Sequence, residues 1–206
     1  RYLDKDCYEL VRVNYTDGQC VFVPSAQLQD NHDRSYVDET LKLAVGEIYV
    51  SPMELNIERG QVERPYKPVI RFGTPVFDSA GVRKGMVLLD YAGTKLQRRL
   101  REAMEGGDPH SAMLLNQDGY WLSSPEPEDE WGYALGRLDR TFARALPEVW
   151  RALVANDRGT VRTDAGLFVY TTVYPLAHGA HSAGNGERTR PIASSTQNYY
   201  WKLVSF

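Results

Sequence analysis

Cysteine is almost absent: the 206 residues contain two, Cys7 and Cys20, too few for a disulfide scaffold. If Asp17-Gly18 closes a two-residue hairpin, Cys20 faces Tyr15, and Cys7 lies roughly 26 Å further along at the usual strand rise. A bridge needs Cα atoms within about 7 Å, so both are read as free thiols unless a bulge or another strand joins them. Histidine is scarce too, with only His32, His110, His178 and His181. The last two sit in a Gly- and Ser-rich stretch without a third ligand nearby, and zinc wants three or four. No metal and no cofactor are expected.

Apolar runs of the ~20 residues that cross a bilayer are missing, as are a start methionine and a signal peptide. The chain opens on Arg1 and closes inside the apolar run Trp201-Lys202-Leu203-Val204-Ser205-Phe206, which reads as a trimmed chain and leaves open whether membrane segments lie outside it. A long basic run is lacking as well. The net charge is −3, and the densest basic cluster, Arg98-Arg99-Leu100-Arg101, shares a helical pattern with Glu102 and Glu105. That is a solvated helix face, and it argues against nucleic acid. There is no Gly-x-Ser-x-Gly elbow, no His-Glu-x-x-His and no phosphate-cradling loop. Glu54 and Glu58 fall in a polar loop where a solvated face is the default, so an enzyme is not expected.

What is present is the material of a globular α+β protein. With 42% hydrophobic residues, the chain can bury one or two cores. Tyr8 to Asn14 and Cys20 to Val23 read as strands around the Asp17-Gly18 turn. Asp33 would cap a helix to Leu43, with Tyr36, Val37, Thr40 and Leu41 at helical spacing. A strand at Glu47 to Val50 leads into a long polar loop, Ser51 to Lys67, of the kind that tends to be functional. Strands follow at Val69 to Phe77 and Val82 to Tyr91, then a helix from Thr94 to Glu105 that Gly106-Gly107-Asp108-Pro109 ends.

The second half opens like the first, since Met113 to Leu122 matches Val11 to Gly18 in outline. After the polar loop Ser123 to Glu130 comes helical sequence from Leu138 to Ala155, interrupted at Pro147. Strands at Thr160 to Thr163, Leu167 to Tyr174 and Tyr199 to Phe206 close the chain, and the Gly-, Ser- and charge-rich stretch His178 to Pro191 reads as a mobile hairpin loop. Hairpin, helix and three strands thus occur twice. The expectation is two tandem domains, 1–107 and 108–206, each a five-stranded antiparallel sheet flanked by helices.

That order resembles the PAS-like architecture, and the words of the sequence resemble the double Cache sensor regions of bacterial histidine kinases and diguanylate cyclases. The stretches that carry the resemblance are Asp33-Arg34-Ser35-Tyr36, Ile48 to Asn56, Pro65 to Asp78, Gly85 to Tyr91, Asn116 to Pro125 and Glu128-Asp129-Glu130-Trp131-Gly132. The resemblance implies an extracytoplasmic, periplasmic position, membrane helices on either side, a cytoplasmic signalling module and a small-molecule ligand in the first domain; a homodimer is compatible with it. The family's long N-terminal helix is missing here, so Arg1 to Lys5 would be its end or the link after it.

Candidate ligand residues follow from chemistry and from the resemblance. Arg34 suits a carboxylate, which a guanidinium grips with two parallel hydrogen bonds; otherwise it is a surface arginine or a partner of Asp38. Tyr36, Tyr49 and Tyr66 offer an apolar face with a polar tip, and Ser51 opens the long loop. The resemblance implies that Asp90 receives a ligand ammonium, with Arg34 and Tyr36 beside it. Gln29, Val37 and Met53 stand where that motif expects tyrosines. Arg71 is either an anion partner or the structural counter-ion of Asp90. The acidic loop Glu126, Glu128, Asp129 and Glu130 reads as solvated rather than calcium-binding, with Trp131 its anchor. The alternative to a ligand module is a surface that docks a partner or sets dimerisation.

Overall fold

The computed structural model describes residues 1–16, 18–103, 112–175 and 199–206. In chain order the strands and helices are β1 (Tyr2–Asp4), β2 (Glu9–Val11), β3 (Val13–Thr16), β4 (Gln19–Phe22), α1 (Ser35–Leu41), β5 (Tyr49–Val50), β6 (Glu54–Leu55), β7 (Ile57–Glu58), β8 (Gln61–Val62), β9 (Pro68–Phe77), β10 (Arg83–Ala92) and α2 (Gly93–Ala103). They continue with β11 (Ala112–Asn116), β12 (Trp121–Ser123), α3 (Phe142–Ala145), α4 (Pro147–Ala155), β13 (Arg158–Thr163), β14 (Gly166–Val173) and β15 (Trp201–Ser205).

Two sheets have the same plan. The first runs β2-β1-β10-β9-β5, with β6 attached to β9, and the second runs β12-β11-β15-β14-β13. Counted along the chain within each sheet, both follow the order 2-1-5-4-3. The fold is α+β with tandem PAS-like sheets.

The duplication reaches single hydrogen bonds. Asp4 Oδ1 accepts the backbone N–H groups of Asp6 and Tyr8, and Asn116 Oδ1 accepts those of Asp118 and Tyr120. Cys7 holds the left-handed φ of 64° that Gly119 holds at 80°. The register between the first two strands also shifts at the same step in both, between Tyr2 and Leu3 and between Leu114 and Leu115. The true match is therefore Asp4-Lys5-Asp6-Cys7-Tyr8 with Asn116-Gln117-Asp118-Gly119-Tyr120. The expected match to Val11–Gly18 is out of register, because the short polar side chain that caps the turn, not the Asp-Gly pair, marks the repeat.

Other expectations change accordingly. Arg1 to Lys5 is not a helix end: Tyr2–Asp4 is an inner strand of the first sheet, with Leu3 fully buried. The hairpin of Tyr15 and Cys20, which do face each other, forms its own two-stranded sheet instead of opening the first one. Buried Arg12 marks the break between β2 and β3. Both thiols are free. The first helix begins one turn position later than expected, with Arg34 rather than Asp33 at its cap and no side-chain capping bond. Pro147 divides the later helical stretch into α3 and α4, and Thr141 Oγ1 caps α3 by accepting the Arg144 N–H. Leu138 lies outside it, exposed.

By contact the chain forms two compact units. The first contains Arg1–Pro52 and Ile70–Tyr91; the second contains Met53–Val69 with the described residues of 92–175 and 199–206. The expected boundary at residue 107 lies outside the described residues, as do His110, the end of the helix from Thr94, and His178 to Pro191. In the first unit Leu3, Cys7, Tyr36, Val37, Leu43, Tyr49, Met86 and Leu88 make the core. Helix α1 lies close on the sheet at Gly73, where a Cβ would come within 2.2 Å of Thr40 Oγ1; only glycine leaves that room. In the second unit Met113, Leu115, Trp121, Phe142, Val149, Leu153, Phe168, Tyr170 and Val204 make the core. No helix among the described residues is long and apolar enough to cross a membrane.

Candidate functional site

The face of the first sheet under α1 is apolar at one end and charged at the other. Along β10 the side chains of Met86 and Leu88 are buried, Val87 and Leu89 are exposed, and Asp90, next in the inward series, is half-buried. Strand alternation also turns Arg1 inward beside Leu3. The Arg1 nitrogen donates to Leu88 O (2.8 Å), and Leu88 N–H donates to Arg1 O (2.9 Å), which extends the ladder to this residue. On β9, Arg71, Gly73 and Pro75 form the buried series.

Charges meet at these positions. Arg1 Nη2 donates to Asp90 Oδ2 at 2.7 Å, and Arg71 Nε lies 3.5 Å from Asp90 Oδ1. Arg1 Nη1 lies 3.4 Å from Oε1 of Glu9, a carboxylate whose side chain is fully buried. Arg12 Nη1 approaches the same oxygen at 4.0 Å, and its Nε donates to Asn14 Oδ1. Glu9 Oε2 accepts the Gln29 N–H at 3.1 Å. The Arg71 guanidinium stacks 4.7 Å from the centre of the Tyr36 ring, a contact that gains strength where water is excluded. The Tyr36 hydroxyl donates to Asn31 Oδ1 at 3.1 Å. Burial pushes the Tyr36 phenol above its ordinary range, and the nearby charges of Arg1, Arg71 and Arg34 partly oppose that rise.

Of the residues singled out in the sequence, four gather here: Tyr36, Arg71 and Asp90 in contact, and Arg34 half-buried within electrostatic reach of the Tyr36 hydroxyl. The other three do other work. Tyr49 belongs to the apolar core. Ser51 is buried, but its hydroxyl accepts the Arg71 N–H (2.9 Å) and donates to Pro52 O (2.7 Å), so it serves the backbone. Tyr66 lies in the second unit, half-buried beneath the Arg64 guanidinium. The segment Ser51 to Lys67 is not one long loop over the first sheet. It contains β6, β7 and β8, and from Met53 onward it counts with the second unit. There the Met53 N–H donates to the Tyr199 hydroxyl (3.3 Å), and the Tyr133 hydroxyl donates to Met53 O (3.0 Å). Burial raises both phenols, that of Tyr199 to about 12.

Sequence reasoning missed Arg1, Glu9, Arg12 and Asn31. Glu9 and Arg12 carried a signal, each being a charge flanked by apolar residues; Arg1 carried none. The acidic loop of the second unit is laced by arginines: Arg140 pairs with Asp129 at 3.0 Å, and Arg137 donates to Glu130 O at 2.7 Å. Trp131 beside it is buried. Among the described residues no group of three or more His, Cys, Asp or Glu side chains could hold a metal ion.

Comparison with known proteins agrees with this architecture. Two solved structures share the fold over the whole chain. The extracellular domain of vpHK1S-Z8, a histidine kinase by its name, is 20% identical with a TM-score of 0.78, and the chain spans 66% of it. A domain of a sensory box/GGDEF family protein from Vibrio parahaemolyticus is 20% identical with a TM-score of 0.76, and the chain spans 69% of it. The ligand-binding domain of Mlp24, solved with asparagine, is more distant, at 15% identity and a TM-score of 0.51 over 95% of the chain and 66% of that domain. No curated protein matches the chain. The family described as bacterial histidine kinase, sensor domain, matches residues 1–182. The chain belongs to the bacterial histidine kinase sensor-domain family.

Proposed function

We propose that the first unit is the ligand-sensing part of a membrane-anchored receptor, and that a small anionic molecule binds at the Arg71–Tyr36–Arg1 cluster with Arg34 at its rim. The supporting observation is the cluster itself. Replacing a buried ion network with apolar side chains is often neutral or stabilising, so this one is poorly explained by stability. Four guanidiniums, those of Arg1, Arg12, Arg34 and Arg71, stand in or beside it. A guanidinium can grip a carboxylate with two parallel hydrogen bonds. The asparagine complex of Mlp24 supports a small-molecule site in this fold. Binding would favour one arrangement of α1 and the sheet, and segments outside this chain would carry the change to a cytoplasmic output; the position is periplasmic in this reading. Only differential affinity for two states can drive such a shift.

Thermal-shift screening of small organic acids tests this. A ligand at 100 times its Kd stabilises by about 2.7 kcal/mol, and Arg34→Ala and Arg71→Ala should each remove most of that gain. A full response in both variants contradicts the assignment.

One observation favours a second reading, a docking or dimerisation surface. The β3–β4 hairpin places Val13 opposite Phe22 and Tyr15 opposite Cys20, all on one face. Tyr15 and Phe22 are 70% and 72% exposed. If this face is an interface, Phe22→Glu lowers the mass measured by light scattering without changing the thermal response to acids.

A further inference from the structure

Every carboxylate oxygen of the cluster already has a guanidinium or a backbone N–H within 4.0 Å, although Glu9 Oε1 accepts no hydrogen bond. Asp90 Oδ2 is bonded by Arg1 and Oδ1 faces Arg71. Glu9 Oε1 faces Arg1 and Arg12, and Oε2 accepts a backbone N–H. The group that joins Glu9 to Asp90 is the Arg1 guanidinium, whose side chain is 11% exposed and whose backbone is held by two ladder bonds to Leu88. It stands where the ammonium of a zwitterionic ligand would have to be neutralised, and it does so as part of the chain.

An ammonium entering this site would meet a fixed cation and would have to displace a charge-assisted hydrogen bond, which is stronger than a neutral one. A hydroxyl in the same place carries no charge and can both donate and accept.

We propose that Arg1 is a specificity-determining residue, a tethered cation that closes the Glu9–Asp90 pair to amino groups, so that the ligand is a small carboxylate without an amine. The inference rests on the cluster being the ligand site, and it narrows the ligand class there.

Matched acids that differ only in a hydroxyl or an ammonium test it: lactate against alanine, malate against aspartate, and 2-hydroxyglutarate against glutamate. Each is titrated calorimetrically into the wild-type chain, Arg1→Ala and Arg1→Lys. The expected result is a preference of at least about tenfold for a hydroxy acid over its amino counterpart in the wild type, as one charge-assisted bond would give. Arg1→Ala should shift that ratio toward the amino acid by a similar factor, while Arg1→Lys, which keeps the cation, retains the preference. Should Arg1→Ala fail to melt cooperatively, the wild type and Arg1→Lys still decide the matter. An amino acid that binds the wild type as well as its hydroxy partner overturns the role of Arg1 and leaves the ligand site standing. So does an unchanged ratio in folded Arg1→Ala. No binding of any of the six acids overturns the site and the inference together.

Discussion

The two sheets were built to one plan and filled differently. Aligning the strand registers through the Asp4 and Asn116 turns pairs Leu3 with Leu115, and from there the positions of β1, β2 and β10 have counterparts along β11, β12 and β15. Arg1 corresponds to Met113, Glu9 to Trp121 and Asp90 to Phe206. In the second unit Met113 and Trp121 belong to the apolar core, and Phe206 stacks on Phe168 with ring centres 5.9 Å apart. Three positions that carry the ion network in one copy carry apolar side chains in the other. Since the backbone plan accepts either filling, the sheet order does not depend on these charges. The difference supports the proposal that the ligand site belongs to the first unit.

Exchanging the fillings is the harshest way to break this comparison. Trp121→Glu would remove a core indole and bury a carboxylate with no guanidinium provided for it. Large-to-small core changes at tryptophan cost about 3–5 kcal/mol, and the buried charge adds to that. The second unit should lose its cooperative melt, followed by near-ultraviolet circular dichroism. A folded Trp121→Glu protein would mean that the second interior tolerates charge as the first does.

Glu9→Ala is next. It leaves Arg1 and Arg12 facing a vacated carboxylate, and breaking a buried pair from one side costs about 3–5 kcal/mol. Partial exposure of the partners places the expectation at the lower end, read by urea denaturation of the first unit. A change below about 0.5 kcal/mol, the scale of an ordinary surface substitution, would mean that the cluster is solvated and not structural.

The shared turn gives a smaller and symmetrical effect. Asp4→Ala and Asn116→Ala each remove an acceptor of two backbone N–H groups, and each should cost about 1–2 kcal/mol, as lost side-chain caps do. Asp4→Asn should be nearly silent, because the second copy already uses asparagine. Unequal costs for the two alanine variants would show that the turns are alike in geometry only.

How much of this could be read from residues follows from where the signal resides. The repeated sheet was legible because long strands such as Pro68–Phe77 and Arg83–Ala92 carry period-2 burial. The register of the repeat was not, since β1 and β2 have three residues each and offer too few alternations. Asp90 was legible as a charge interrupting an apolar strand, Arg71 from the strand expected to pair with it, and Arg34 and Tyr36 from side-chain chemistry and the resemblance. Tyr49 and Tyr66 have the same side chain as Tyr36, and only tertiary placement separates a core ring from one stacked on a guanidinium. Ser51 was misread because a hydroxyl that closes a backbone ladder looks, in sequence, like one that faces a ligand. Arg1 could not be read at all; its meaning comes from carboxylates 8 and 89 residues away.

The smallest expected effect concerns the rim of the first unit. The hydrogen bond that the His32 ring donates to the Asp30 carboxylate raises the His32 pKa above its ordinary value of 6.5, and the ring packs edge-on against Tyr8. A raised folded pKa means that the contribution is complete below pH 6.5 and disappears as pH climbs through the folded value. The Tm difference between wild type and His32→Ala should therefore be greatest in mild acid and shrink as pH rises through the folded value. A difference that grows with pH would reverse the sign of this pairing.

The central claim is that a ligand acts on the first unit's charged interior and not on the second unit's packed one. Amide hydrogen exchange with and without a saturating hydroxy acid tests it most directly. The account predicts slower exchange in Tyr2–Asp4, Ser35–Leu41 and the Arg71 and Asp90 strands, with any change in Ala112–Asn116 and Trp201–Ser205 smaller. Protection centred on those second-unit strands, or none in the first unit despite measured binding, would contradict it.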